Sequence, residues 1–139
     1  ELRAALTDVP VGTRILLERG EYAGGLSLQG LRGSADLPIL IAAAHPAQPP
    51  VIQGGAFGLH LSSCLHVELR DLVFERQTGN GLNVDDGGNF ETAAQQIVLR
   101  GLVVREIGPR GNCDGIKLSG VSGFTRADAT PDRVCSAPL

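Results

Sequence analysis

The residues best suited to chemistry lie in two short segments bounded by glycine, "GLNVDDGG" at 81–88 and "GNCDGIKLSG" at 111–120. The second contains Lys117, the single lysine of the chain, between Ile116 and Leu118. Successive side chains of a strand point to opposite faces, so two apolar neighbours in a core direct Lys117 outward. An outward lysine, partly shielded from water, is a candidate catalytic base. A solvated surface lysine is the alternative.

Two other segments share the Gly-apolar-polar-apolar form of "GIKL", namely "GLHL" at 58–61 and "GLNV" at 81–84. Their polar residues are His60 and Asn83. If all three segments are strands in the same orientation, His60, Asn83 and Lys117 share one outward column. A column of polar side chains at strand spacing can bind a sugar chain, so the pattern predicts a substrate-binding surface.

Three carboxylates flank these strands, with Asp85 and Asp86 after one strand and Asp114 before another. Clustered carboxylate oxygens are suitable ligands for a hard cation, so Asp85, Asp86 and Asp114 are candidate ligands for Ca²⁺. The alternative is a plain turn, because Asp and Gly serve sharp bends in any β protein.

Arg70 and Arg100 occupy equivalent positions in "VELRDLVFE" (67–75) and "IVLRGLVVR" (97–105), which match at an offset of 30 residues. Two basic side chains one repeat apart could hold a substrate carboxylate, and Arg100 is the candidate substrate-binding residue of the pair. The alternative is that both arginines occupy corners of a repeating structure.

The repeat extends through most of the chain. Strand-like starts at Ile15, Ile39, Val67 and Ile97 are separated by 24, 28 and 30 residues. Each segment alternates over three to five positions between turn residues, which is typical of short strands. Three such strands in every repeat predict an all-β fold, a parallel β-helix of about four coils. An antiparallel β-sandwich also uses many short strands and is the alternative.

In a β-helix the inward side chains of successive coils lie over one another, about 4.8 Å apart. The polar residues between them then face solvent. The predicted inward ladders are Ile15, Ile39, Val67 and Ile97; Leu72 and Leu102; Phe74 and Val104; Leu59, Leu82 and Ile116; and Leu61, Val84 and Leu118.

The two ends of the chain depart from the repeat. In "ELRAALTDV" the apolar residues share one helical face, which predicts a short capping helix within residues 1–10. After Phe124, aspartates and prolines interrupt the alternation, so the prediction is a β-helix over 1–124 and a non-repeat tail over 125–139. The exposed end predicts a homo-oligomer through the carboxy-terminal coil, unless Phe124 and Val134 fold back as a plug.

The composition argues against several classes of function. A formal charge of −3, with scattered basic residues, gives no footprint for nucleic acid. No apolar run approaches the roughly 20 residues that cross a bilayer, so no membrane span is expected. The three cysteines, Cys64, Cys113 and Cys135, lack the spacing of a zinc or redox motif. Buried thiols and a bridge between Cys64 and Cys113 are both open.

The order of several segments resembles that of the right-handed parallel β-helix proteins of the pectate-lyase-like superfamily. They are "PVGTRILLERGEYAGGLSL", "LPILIAAA", "PPVIQGG", "GLHLSSCLHVELRDLVFE", "NGLNV" and "GNCDGIKLSGVSGF", and the resemblance covers residues 1 to about 124. It implies a right-handed solenoid and a protein that is exported, extracellular or periplasmic. Members usually have twice as many coils, which implies that this chain is a short or truncated member.

The resemblance also implies an acidic polysaccharide as partner. Lyases of the superfamily use a lysine or arginine as base, which would be Lys117 here, with Ca²⁺ or basic side chains neutralising the uronate carboxylate. The expected function is a carbohydrate-interacting β-helix with weak or no catalysis. The alternatives are an active Ca²⁺-dependent lyase, or a glycoside hydrolase, and a purely structural solenoid that self-assembles.

Overall fold

The computed structural model describes residues 6, 8–89, 91, 93–108, 113–127, 130 and 131. These residues form fourteen strands and contain no α-helix. The strands are β1 (Arg14–Leu17), β2 (Glu21–Ala23), β3 (Leu26–Gln29), β4 (Ile39–Ala43), β5 (Val51–Gln53), β6 (Phe57–Ser62), β7 (Leu65–Arg70), β8 (Val73–Glu75), β9 (Asn80–Asp85), β10 (Ala94–Arg100), β11 (Val103–Arg105), β12 (Ile116–Ser119), β13 (Val121–Ala127) and β14 (Thr130–Pro131).

Every third strand along the chain lies beside the last, so the strands form three sheets. The first sheet has the order β1-β4-β7-β10-β13, the second has β2-β5-β8-β11-β14, and the third has β3-β6-β9-β12. All paired strands are parallel. The chain therefore makes four complete windings and begins a fifth, which confirms the predicted parallel β-helix and excludes the antiparallel sandwich.

Aliphatic side chains from successive windings fill the interior. In the third sheet Leu59 and Leu82 are paired, as are Leu61 and Val84, and all four are 2% exposed or less. Phe74 and Val104 are paired and buried in the second sheet. These ladders are the predicted ones.

The first winding enters its ladder two residues later than the sequence predicted. Ile15 pairs with Ile41, whereas Ile39 pairs with Val67. Because side chains alternate with a period of two, a shift of two residues keeps the same face inward. The interval of 24 residues after Ile15 therefore does not mark the true register, and the core is nonetheless continuous.

The corners between sheets recur at the same interval as the strands. Three pairs of residues 30 positions apart adopt positive φ, between 50° and 63°. The pairs are His66 and Gln96, Asp71 and Gly101, and Arg76 and Glu106. Arg76 and Glu106 are also ion-paired, with Nε and Oε2 2.8 Å apart. The repeat of 67–75 and 97–105 therefore includes corner geometry as well as core pattern.

The amino-terminal helix is not observed in the described residues of its segment. Residues 1–5 and 7 of the predicted helix lie outside the described part, and residues 6 and 8–10 are not helical. Asp8 has a φ of 52°, in the left-handed region. Leu6 is 3% exposed and packs in the core cluster, so this segment contributes to the core without a helix there.

Strand pairing continues past residue 124, where the repeat was predicted to end. β13 reaches Ala127 beside β10, and Thr130–Pro131 pair with β11. Pro131 lies in an edge strand, where a missing backbone donor is tolerated. Residues 128, 129 and 132–139 lie outside the described part, so the predicted tail and the plug by Val134 do too. No described helix is long and apolar enough to span a membrane.

Candidate functional site

The outer face of the third sheet collects polar side chains in columns. Ser27, His60, Asn83 and Lys117 are successive register partners on β3, β6, β9 and β12. Their neighbours along each strand face the core, as Leu59 and Leu61 do on either side of His60. The structure thus places His60, Asn83 and Lys117 in one outward column, with adjacent members about 4.8 Å apart.

A second column runs beside the first. Gln29, Ser62, Asp85 and Ser119 are successive register partners two residues further along the same strands. We call the eight residues of the two columns the polar face: Ser27, Gln29, His60, Ser62, Asn83, Asp85, Lys117 and Ser119. The period of two in "GLHLSS" contained the signal for Ser62, which the sequence analysis missed.

His60 and Asp85 are joined across the polar face. Nε2 of His60 lies 2.6 Å from Oδ2 of Asp85, and the two side chains are 26% and 24% exposed. The ring of Phe57 lies against His60 edge to face, with centroids 5.9 Å apart and an interplanar angle of 76°. The imidazole therefore has contacts on two sides, which restrict its rotation.

The other oxygen of Asp85 is also hydrogen-bonded. Ser62 Oγ donates to Oδ1 at 2.9 Å, and the backbone N–H of Gly87 donates to the same atom at 3.0 Å. Partial burial alone would raise the pKa of Asp85, but the hydrogen bonds from His60, Gly87 and Ser62 together prevail. The pKa of Asp85 consequently lies below its ordinary value, and the carboxylate is ionised at neutral pH.

The three candidate calcium ligands do not come together. Asp86 is buried, and its Oδ1 accepts a hydrogen bond from the N–H of Gly88 at 2.8 Å. Asp114 is buried beside Asn80, whose Oδ1 accepts from its N–H at 3.1 Å. Asn80 begins β9 and Asp85 ends it, a separation of roughly 16 Å for five residues of strand. Among the described residues, no three His, Cys, Asp or Glu side chains are placed to hold a metal ion.

Lys117 and Asn83 lie side by side with polar atoms unused. Lys117 is partly exposed, and its side chain makes no ion pair or hydrogen bond with any described residue. Oδ1 of Asn83 is buried and has no hydrogen-bond partner. A buried polar atom without a partner costs free energy, so this part of the column is not arranged for stability alone.

Arg100 lies on a different face of the molecule. It belongs to the first sheet, where it is the register partner of Arg70. Both arginines face Glu68: Nη2 of Arg70 is 2.6 Å from Oε1, and Nε of Arg100 is 3.6 Å from the same atom. The structure therefore does not bring Arg100 to the polar face, and the two arginines share a carboxylate of the chain itself.

Two surface depressions lie away from the polar face. One, of about 270 Å³, is on the first sheet and is lined by Arg14, Asp36, Glu68 and Arg70, among others. The other, of about 470 Å³, is on the second sheet near Tyr22 and Arg76. Their charged groups include the ion pairs of Glu68 with Arg70 and of Arg76 with Glu106. The polar face is therefore the stronger candidate site.

The cysteines do not contribute to the polar face. Cys64 is buried and forms no disulfide, so the possible bridge to Cys113 is wrong. Its Sγ lies 3.4 Å from the carbonyl oxygen of Ser62, and burial raises the pKa of its thiol. Sγ of Cys113 lies 3.5 Å from the carbonyl oxygen of Thr78. Cys135 is outside the described residues.

The windings define the class of protein: the chain is a parallel β-helix. No protein-family model matches the sequence, and no curated protein matches it. Among solved structures it is similar to an alginate lyase from Paenibacillus sp. str. FPU-7, with a TM-score of 0.56 and 18% sequence identity. The match covers 94% of this chain and 63% of that lyase. At this identity the likeness is one of fold.

Proposed function

We propose that the protein binds an acidic polysaccharide along the polar face of the third sheet. The observation that supports this most directly is the column of His60, Asn83 and Lys117, which offers a cation, an amide and an imidazole at coil spacing. The second column adds hydroxyl groups from Ser62 and Ser119. Such groups match the hydroxyls and carboxylates of a uronate chain that runs across the coils.

The charges of the polar face favour an acidic partner over a neutral one. Lys117 is a cation without a partner among the described residues, whereas the carboxylate of Asp85 is already bound to His60. A sugar carboxylate can therefore pair with Lys117 without displacing an existing ion pair. A polysaccharide of this kind is met outside the cytoplasm, so the proposal includes an extracellular or periplasmic location.

A second candidate function is β-elimination on the bound uronate, with Lys117 as the base. The unprotonated amine of Lys117 would take the proton from the carbon next to the carboxylate. The electron pair of that C–H bond forms the new C=C bond, and the C–O bond to the leaving sugar breaks. The leaving oxygen then takes up a proton. The lyase activity named for the structural neighbour supports testing this step.

Binding can be tested by calorimetry with alginate and polygalacturonate, and with dextran as a neutral control. We expect both acidic polymers to bind and dextran not to bind. Lys117→Ala should raise the Kd about tenfold, equivalent to about 1.4 kcal/mol. Arg19→Ala, which removes an exposed cation from the turn after β1, is the matched control and should leave the Kd unchanged. Equal affinity for dextran would contradict the proposal.

Elimination can be tested separately on the same polymers by following the ultraviolet absorbance of the unsaturated product. Activity that disappears in Lys117→Ala, but not in Arg19→Ala, would support the catalytic role. The assay should be run with Ca²⁺ and with EDTA. Binding without any absorbance change would leave a polysaccharide-binding protein without lyase activity.

A further inference from the structure

The carboxylate of Asp85 is engaged within the chain. Its Oδ2 contacts His60, and its Oδ1 accepts from both Ser62 and Gly87. A carboxylate offers about four lone-pair sites, so at most one remains for another group. Together with the distance to Asp114, this arrangement fits an internal anchor better than a ligand of a cation.

The hydrogen bond to Asp85 determines which nitrogen of His60 carries hydrogen. An ionised carboxylate can only accept hydrogen bonds, so the hydrogen between the two side chains belongs to Nε2 of His60. In the neutral ring the other nitrogen, Nδ1, is then an acceptor with a lone pair. Asp85 thus selects the tautomer, and Phe57 against the ring limits its rotation.

An imidazole acceptor selects a particular chemical group. A lone pair on Nδ1 attracts a hydroxyl hydrogen and repels a carboxylate oxygen. Lys117 provides the opposite preference two windings away, about 10 Å along the column. Hydroxyl and carboxylate recognition are therefore separated along the direction in which the coils stack.

We propose that His60 is a specificity residue whose Nδ1 accepts a hydrogen bond from a sugar hydroxyl, and that Asp85 is its positioning residue. The inference rests on the proposed binding of an acidic polysaccharide. It adds which group of the sugar His60 recognises, and it assigns Asp85 to His60 in place of a cation. Ser62 and Gly87 are the groups that hold Asp85 in this role.

The tautomer is directly measurable by two-bond ¹H–¹⁵N correlation spectra of the histidine rings at about pH 8, where an ordinary histidine is neutral. His60→Gln identifies the His60 signals, and His45 and His66 serve as internal references. We expect the Nε2–H form in the wild-type protein and a mixture of tautomers in Asp85→Ala. A wild-type ring with hydrogen on Nδ1 would overturn the inference, whether or not polysaccharide binds.

Two additions to the same sample complete the test. An alginate oligosaccharide should shift the Nδ1 resonance of His60, and an unshifted Nδ1 in a saturated complex would overturn the role in recognition. Ca²⁺ alone should leave the His60 resonances in place, whereas a saturable shift would make Asp85 a cation ligand. Ser62→Ala weakens the anchor more mildly than Asp85→Ala, and it should raise the Kd for alginate by a smaller factor. If wild-type protein does not bind alginate, the proposed function fails while the tautomer result stands.

Discussion

Nε2 of His60 lies 2.6 Å from Oδ2 of Asp85, although the two residues are 25 positions apart in the chain. The contact exists because one winding of the β-helix separates β6 from β9 and brings residue 60 beside residue 83. Asp85, two residues beyond, then reaches back to the ring. The pair is therefore a product of the coil length, and it links two windings on the outside of the solenoid.

The anchored carboxylate should make stability depend on pH in the acid range. The pKa of Asp85 is lowered in the folded protein by its hydrogen bonds, against the effect of burial. A lowered folded pKa means that this contribution to stability is present above the ordinary Asp pKa of about 3.9. It is lost as the pH falls through the folded pKa. The midpoint of urea unfolding, measured at about pH 6 and about pH 3, should fall less in Asp85→Asn than in wild type.

Asp36→Asn is a matched control for that measurement, because Asp36 is exposed in the loop before β4. It should retain the wild-type difference between the two midpoints. If Asp85→Asn also retains it, the carboxylate of Asp85 does not stabilise the fold.

Asn83 should limit the stability of the third sheet. Its buried Oδ1 has no hydrogen-bond partner, and an unsatisfied buried acceptor costs about 1–3 kcal/mol. We expect Asn83→Val to raise the free energy of unfolding by about 1 kcal/mol and, at the same time, to weaken binding of alginate. Denaturant unfolding and calorimetry measure the two effects on the same protein sample.

Ser27→Val is the control for Asn83→Val, because Ser27 is exposed in the same column. It should change stability by no more than a few tenths of a kcal/mol. A loss of stability in Asn83→Val larger than in Ser27→Val would show that the amide contributes a hydrogen bond to the fold.

Gly87 should be more sensitive to substitution than its neighbour Gly88. Both have positive φ, 70° and 78°, so alanine at either position costs about 1–2 kcal/mol of backbone strain. A Cβ on Gly87 would also lie 2.7 Å from Ser63 Oγ and 3.0 Å from Ser62 Oγ, whereas a Cβ on Gly88 meets nothing within 4 Å. Gly87→Ala should therefore be the more destabilising by urea unfolding, and it alone should disturb the His60 tautomer. Equal effects of the two substitutions would contradict this account.

The outward column was predictable from sequence, and the contacts across it were not. Period-two alternation in "GLHL", "GLNV" and "GIKL" is a local property that fixes which side chains face out. The bond between His60 and Asp85 depends on where the chain turns after β9, where Gly87 has a φ of 70° and its N–H donates to the carboxylate. That geometry comes from the packing of neighbouring windings.

The expected calcium site shows a different limit. Asp85 follows its strand, whereas Asp114 precedes its own. In parallel strands these positions lie at opposite ends, so residues close in type and in repeat number are far apart in space. The sequence predicted parallel strands, but the argument for the cation site did not use that direction.

The end of the solenoid leads to the last prediction, self-association. In the third sheet β12 has no further strand beside it among the described residues, and Leu118 on its inner side is only partly buried. Phe124, which extends the ladder of Ile97, is 39% exposed. An unpaired strand edge with apolar residues favours pairing with another chain. Sedimentation at micromolar concentration should therefore show an oligomer, and Leu118→Asp should shift it toward monomer. Ser119→Asp, on the outer side of the same strand, should leave the oligomer intact, and Phe124→Ser offers a second test if Leu118→Asp does not fold. A wild-type protein that sediments as a monomer would refute the prediction.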